Sequence, residues 1–345
     1  MATMSELGEK AFLKELLPTL KVAPSFVNGF GHDASIVDVG LEQYLAVKID
    51  RAPFPVALNR GIGDCRTWGR LAVAANVSDL LAVGARPHAL MLSIVVPGGF
   101  DATNARAIVI GCEEACDSHG IAFIGGDTKE GQTAQVIGAA WGTVEKGAAF
   151  GRAPALPGDY LFLAGRLGAF AGTLALMDEE PSEGEIPREW VNTLTEPSAR
   201  MREGRYMRES RKVAAACDLS DGLAEALNIF CAAGAGITLS ESRLPMHPLA
   251  VQASAKRGVP LWRFAFGVGD WAIACVVREK NVSTFRLAGE SGLEMFEIGR
   301  FDGTGHKLIR DGAGMEREIP NLINEQFRRR IEDNGSYMHD LLSAP

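Results

Sequence analysis

The chain has 345 residues, 47% of them hydrophobic and 23% charged, so a packed core is expected and disorder is not. The formal net charge of −8 argues against nucleic acid as the main partner, because phosphate backbones select basic faces. An acidic chain can still hold phosphates where divalent cations mediate the contact, so aspartates are candidate phosphate-site residues as well as lysines. No apolar run reaches the length of a membrane span, and the N-terminus MATMSELGEK lacks the basic and then apolar order of a signal peptide. Six cysteines (Cys65, Cys112, Cys116, Cys217, Cys231, Cys275) form no CxxC pair, so zinc is not expected. Reduced, buried thiols in a cytoplasmic protein are the expectation.

Apolar residues at helical spacing predict an amphipathic first helix over Glu6–Leu20. Strands follow at Ser35–Val39 and Leu45–Ile49, joined by a turn at Gly40. Thr67–Val83 reads as a long helix whose Leu71, Ala74, Ala75 and Ser78 would let another backbone pack closely. Ala89–Val96 is a strand ended by Pro97-Gly98-Gly99, and Asp101 caps a helix that runs to Ser118 and stops at Gly120. Ile121–Ile124 reads as a short buried strand, apolar without alternation, that meets Gly125-Gly126 and then Asp127 on a turn. Gln135–Val144 is a further strand.

The stretch APALPGDY, Ala153–Tyr160, has the prolines and glycine of a domain junction. Beyond it come a strand at Tyr160–Leu163, a helix at Gly168–Met177, a strand at Val213–Cys217, a helix at Asp221–Ala232 and a strand at Ala272–Val277. Strand and helix alternate in both halves. An α/β or α+β chain of two domains, 1–152 and 153–345, is the reading.

Several motifs drop out. No GxxxxGK[ST] occurs, and no HExxH, GxSxG or Cys-His nucleophile pattern stands out. Gly29–Ala34 fits GxGxxA, but the residues after it alternate like a strand, whereas a dinucleotide fingerprint must open a helix. What recurs is an aspartate in or at the end of an apolar segment, with glycine, serine or threonine within two residues everywhere but at Asp50: Asp33, Asp50, Asp79, Asp127, Asp218 and Asp221. Asp50 alone could end a strand and Asp221 could cap a helix. Asp79 is different, because it falls inside a helical pattern beside Leu80 and Leu81. A carboxylate there is costly to bury unless a cation pairs with it. Together the set would supply hard oxygen ligands of the kind Mg²⁺ takes alongside phosphate.

These motifs resemble the aminoimidazole-ribonucleotide (AIR) synthetase-like superfamily, with thiamine-monophosphate kinase the family closest in layout. The matching segments are GHDAS (Gly31–Ser35), KID (Lys48–Asp50), NVSDLLAVGA (Asn76–Ala85), GGDTK (Gly125–Lys129), DLSDGL (Asp218–Leu223) and GVGDWA (Gly267–Ala272). The resemblance implies a two-domain fold whose N-terminal mixed sheet pairs across a homodimer into a barrel, followed by a C-terminal α/β domain. It also implies ATP and Mg²⁺. Carried over by position, Asp33, Asp50, Asp79, Asp127, Asp218 and Asp221 would be metal ligands, with Asp79, Asp127 and Asp221 central to catalysis. Gly126, Asp127, Arg152 and Ser220 would contact the nucleotide.

Four departures from the family pattern bear on the substrate. His32 replaces the first aspartate of GDD, Ile49 replaces a metal-side threonine, and Gly269 replaces the glutamate of GGED. No histidine follows Asp50. Lys129 is either a solvated charge or a phosphate contact. His119 reads as a helix-end contact, and His88 as a solvated loop residue. The leading expectation is an ATP-dependent kinase acting on a small metabolite other than thiamine phosphate. The alternatives are ATP-dependent activation of an amide oxygen, of cyclo-ligase or dehydratase type, and a non-catalytic nucleotide-binding dimer.

Overall fold

Two sheets and the helices between and around them make up the computed structural model, which describes residues 3–179, 185–320, 327 and 341–342. The first sheet contains β1 (Ser35–Val37), β2 (Gln43–Ala52), β3 (Arg86–Val96), β4 (Ala122–Glu130) and β5 (Gln135–Glu145), in the order β1-β2-β5-β3-β4. Only β3 and β4 run parallel. The second sheet contains β6 (Tyr160–Ala164), β7 (Val213–Asp218), β8 (Gly236–Ser240), β9 (Ile273–Val277), β10 (Met295–Asp302), β11 (Lys307–Arg310) and β12 (Glu316–Glu318). Its order is β12-β11-β8-β10-β6-β9-β7.

The helix Arg66–Ala82 lies between the two sheets, with 14 of its 17 residues buried. That is why its sequence is small and apolar all round rather than striped. Strand β6 shows the same placement from the other side. Phe162 and Ala164 join the core around this helix, while Leu161 and Leu163 enter a second core under the C-terminal helices. A sheet covered on both faces has strands without alternation, and β6 and β9 read that way.

The first sheet is covered on one face only. Lys48, Asp50, Leu90, Leu92, Val136 and Ala140 share rows on the helix side. Leu45, Val47 and Ile49 of β2, Met91 and Val95 of β3, and Ile137 and Trp141 of β5 fall on the other face, where Ile49 is 69% exposed and Met91 44%. This corrects the expectation of a buried strand at Ile121–Ile124. Strand β4 is an edge strand, Ile124 is half exposed, and the strand runs on through Gly125, Gly126 and Asp127 to Glu130. Among the described residues nothing covers this apolar face.

Smaller differences have local causes. The first helix breaks into Met4–Leu7 and Glu9–Leu16 at Gly8, whose φ is +79°. The helix expected from Asp221 starts at Leu223, with Gly222 at its N-cap, so Asp221 is left outside it. Helices Arg66–Ala82 and Ala102–Ser118 do meet through small residues, but at different positions from those expected. A Cβ on Gly69 would stand 2.0 Å from the Ile108 carbonyl, and one on Gly111 would stand 2.2 Å from that of Arg66. Gly69→Val should therefore lower stability by about 1–3 kcal/mol or more in urea denaturation, and an unchanged midpoint would remove this account of the helix contact.

Candidate active site

Strand β2 alternates, so Lys48 and Asp50 project together from the helix side, opposite Ala140 and Gly138 of β5. Lys48 reaches Asp79 on the buried helix, with Nζ 2.8 Å from Oδ2, and stands 3.8 Å from Asp50 Oδ2. This is the cation that a mid-helix carboxylate demands. Burial works to lower the Lys48 pKa, but the carboxylates of Asp79, Asp50 and Asp218 outweigh it and hold the ammonium charged. The Asp79 carboxyl is nevertheless pushed well up, first by burial and then by repulsion from Asp218, with Lys48 opposing.

A second acid group, Asp33 from the N-terminal half and Asp218 from the C-terminal half, meets the first. Asp33 follows the Gly31 turn, whose φ is +94°, and its side chain is fully buried. Arg152 donates to Asp33 Oδ1 from Nε at 3.0 Å and from Nη2 at 2.5 Å. Asp33 Oδ2 is buried with no hydrogen-bond partner. Asp218 ends β7, where Ser220 Oγ donates to its Oδ1 at 3.1 Å. Burial and the neighbouring Asp33 push the Asp218 carboxyl up to about 7, with Arg152 opposing. Ligand atoms of Asp33, Cys217 and Asp218 lie within 4.8 Å of one another. Burial raises the Cys217 thiol pKa well above its usual value, and the thiol donates to the Asp218 carbonyl at 3.1 Å, so it stays protonated. The free donors are carboxylate oxygens. That chemistry suits a hard divalent cation, and the orphaned Asp33 oxygen marks where one fits.

The structure thus brings together Asp33, Asp50, Asp79, Asp218, Arg152 and Ser220. Asp221 stands beside them, its pKa raised chiefly by burial, with Lys10 opposing and Glu225 adding. Asp127 is set apart. It lies on β4 opposite Ser93, its side chain 59% exposed and 3.8 Å from Lys129 Nζ. Gly126 pairs with Leu92, and Asp50 lies in the same row across β5. That row is three strand spacings long, about 14 Å. A Cβ on Gly126 would stand 1.7 Å from the Leu92 carbonyl, so only glycine fits the register shift there.

The departures have definite positions. His32 Nδ1 accepts the Arg152 backbone N–H at 3.1 Å, so the residue that replaced an aspartate helps fix the arginine that holds Asp33. Burial lowers the His32 pKa, which suits a neutral acceptor ring. Ile49 points to the open face, away from Asp50 and Asp79. Gly269 has φ +95°, and a Cβ on it would stand 2.6 Å from the Phe170 ring. Asp270, next in the chain, is half-buried, accepts the N–H groups of Gly168 and Phe170, and has its pKa raised by burial to about 6.

Of the remaining histidines, His119 does sit at its helix end. Its Nδ1 donates to Ala115 O at 2.7 Å and its Nε2 accepts Ala199 N–H at 3.0 Å. His88 is not in a loop; it lies on β3, partly buried, 2.8 Å from Thr143 Oγ1. Two members of the cluster were not singled out as site residues from sequence, Lys48 and Cys217. Lys48 carried a signal: a lone lysine two residues before an aspartate in an apolar strand shares its face.

A raised carboxyl has a definite sign. With its folded pKa near 7 and an ordinary unfolded value, Asp218 destabilises the fold above pH 7 and is relieved as pH falls through 7 toward 4. In EDTA, the thermal midpoint of the protein should rise between pH 8 and pH 5.5. Asp218→Asn should raise the midpoint at pH 8 and flatten that rise. An Asn variant less stable than wild type at pH 8 would contradict the repulsion described.

Residues 31–144 match the family model "AIR synthase related protein, N-terminal domain". The thiamine-monophosphate kinase of Bacillus subtilis (strain 168) is 33% identical over 228 residues, which cover 64% of this chain and 69% of that one. The enzyme of the same name from Methanospirillum hungatei is 29% identical over 274 residues, covering 78% and 84%. The crystal structure of thiamine-monophosphate kinase from Stenotrophomonas maltophilia superposes with a TM-score of 0.67 at 26% identity, covering 87% of this chain and 96% of that one. The chain belongs to the thiamine-monophosphate kinase family of the AIR-synthase-like superfamily.

Proposed function

We propose that the chain is a Mg²⁺-dependent, ATP-using phosphotransferase acting on a small metabolite other than thiamine monophosphate. The observation that carries this reading is the buried group of Asp33, Asp79 and Asp218, drawn from both halves of the chain and left with an orphaned carboxylate oxygen. Asp33, Asp50, Asp79, Asp218 and Asp221 would hold the cations, with Asp127 contributing from β4. Mg²⁺ bound there would neutralise charge on the phosphates and on the transferred group. Gly126, Ser220 and Arg152 would contact the nucleotide. Lys48 keeps Asp79 oriented within the helix, and Arg152 does the same for Asp33. Burial keeps bulk water from competing for these oxygens. In this reading the chain divides into domains 1–152 and 153–345, and the cluster lies at their junction.

The acceptor is inferred from Gly269 and from the missing histidine after Asp50. A glutamate at position 269 would need a left-handed backbone and the space of the Phe170 ring, so this backbone disfavours an acidic side chain there. The other departures leave the acid group assembled, which favours an enzyme over a non-catalytic dimer. With ATP, Mg²⁺ and a panel of metabolites, the protein should form a phosphorylated product. Mass spectrometry would distinguish this from amide activation, which leaves none at the end. Asp79→Asn should stay folded and lose turnover by about 100-fold or more; wild-type turnover would eliminate the assignment. Thiamine monophosphate should give negligible thiamine diphosphate. A rate of about 1 s⁻¹ would return the chain to plain thiamine-monophosphate kinase activity.

The apolar open face of the first sheet supports a homodimer in which two such sheets close on each other into a barrel. Light scattering at micromolar concentration should report a dimer, and Ile49→Asp should give monomers. A wild-type monomer would count against the assembly.

A further inference from the structure

Away from the carboxylates, the seam between the two halves holds a cavity of about 380 Å³. Arg202, Arg205 and Arg208 reach it from the helix Met201–Ser210, and Arg86 from the start of β3. Four arginines line it, and Glu209 is the only acid among the described lining residues. Glu209 is already shared, its Oε1 lying 2.8 Å from Arg205 Nε and 3.3 Å from Arg208 Nη2. Among the described residues, Arg86 and Arg202 have no carboxylate partner. Such a concentration of positive charge runs against the chain's net charge of −8. The field reaches nearby His88, whose pKa is held down first by burial and then by Arg86 and Arg208.

The rest of the lining is Gly120 and the apolar Leu81, Pro87 and Met201. Leu81 sits two residues beyond Asp79 and so faces the opposite flank of the same helix. It packs there against the helix Met201–Ser210 through Gly204, where a Cβ would stand 2.7 Å from Leu81 Cδ2. The cavity shares no lining residue with the acid cluster. Its size is that of a small-molecule site. Guanidiniums bind phosphate in a bidentate manner, and several of them together match a chain of phosphates better than a single one.

We propose that this cavity binds an organic polyphosphate, with its phosphates on Arg86, Arg202, Arg205 and Arg208 and its organic body on Leu81, Pro87 and Met201. The site needs no divalent cation, which separates it from the acid cluster whatever reaction that cluster performs. The test is calorimetry in EDTA with three probes: inorganic phosphate, tripolyphosphate and ADP. Tripolyphosphate and ADP should bind with affinities that fall as salt is raised, and inorganic phosphate should bind at least tenfold more weakly. The double variant Arg86→Ser/Arg202→Ser, which changes two exposed side chains, should weaken ADP at least tenfold while keeping the wild-type circular dichroism. If the double variant fails to fold, Arg202→Ser alone should weaken ADP at least threefold. Absence of binding by ADP at millimolar concentration, or equal affinity in the variant, would overturn the proposal. Binding of tripolyphosphate without ADP would overturn the role of the apolar lining.

Discussion

A lysine ammonium 2.8 Å from a carboxylate on a buried helix is the contact on which the site depends. Lys48 comes from the first sheet and Asp79 from the helix that both sheets enclose. The second sheet then brings Asp218 to the same place. None of these acids would be tolerable alone at that depth, and each raises the cost of the others. Two cations built into the chain, Lys48 and Arg152, offset part of that cost and leave part of it standing. The residue is electrostatic strain, visible in the raised pKa values of Asp79 and Asp218. Such strain is expected where a protein holds a place for charge it does not itself supply.

Much of this was legible in the sequence because it is local. Asp79 stood out as a carboxylate inside a helical pattern, and the aspartates after glycine or serine were visible as a set. The alternation of both halves between strand and helix gave two sheets. What could not be read was which face of a sheet is covered. Ile121–Ile124 looks like an interior strand because its side chains are apolar, yet β4 is an edge strand and Ile124 is half exposed. Local composition does not distinguish a covered face from an open one. Position 49 was misjudged for a related reason. As a departure from a motif it suggested a lost ligand, but the two-residue period of β2 turns Ile49 away from Asp50.

Partnership across the chain was also hidden. Arg152 and Asp33 are 119 positions apart, and His32 fixes the arginine backbone from the same turn. A histidine in place of an acid reads as a loss when the motif is considered alone. In three dimensions the substitution exchanges a possible ligand for a contact that orients one.

Gly269 and Phe170 carry a consequence for substitution. The backbone at 269 is left-handed, and the Phe170 ring stands where a side chain would begin. An acidic residue placed at 269 alone would therefore strain the backbone and press on the ring. A smaller residue at 170 would relieve the contact but leave the left-handed backbone. Each change by itself leaves either a clash or a void. The two positions are sterically coupled, so a change at one is read through the other.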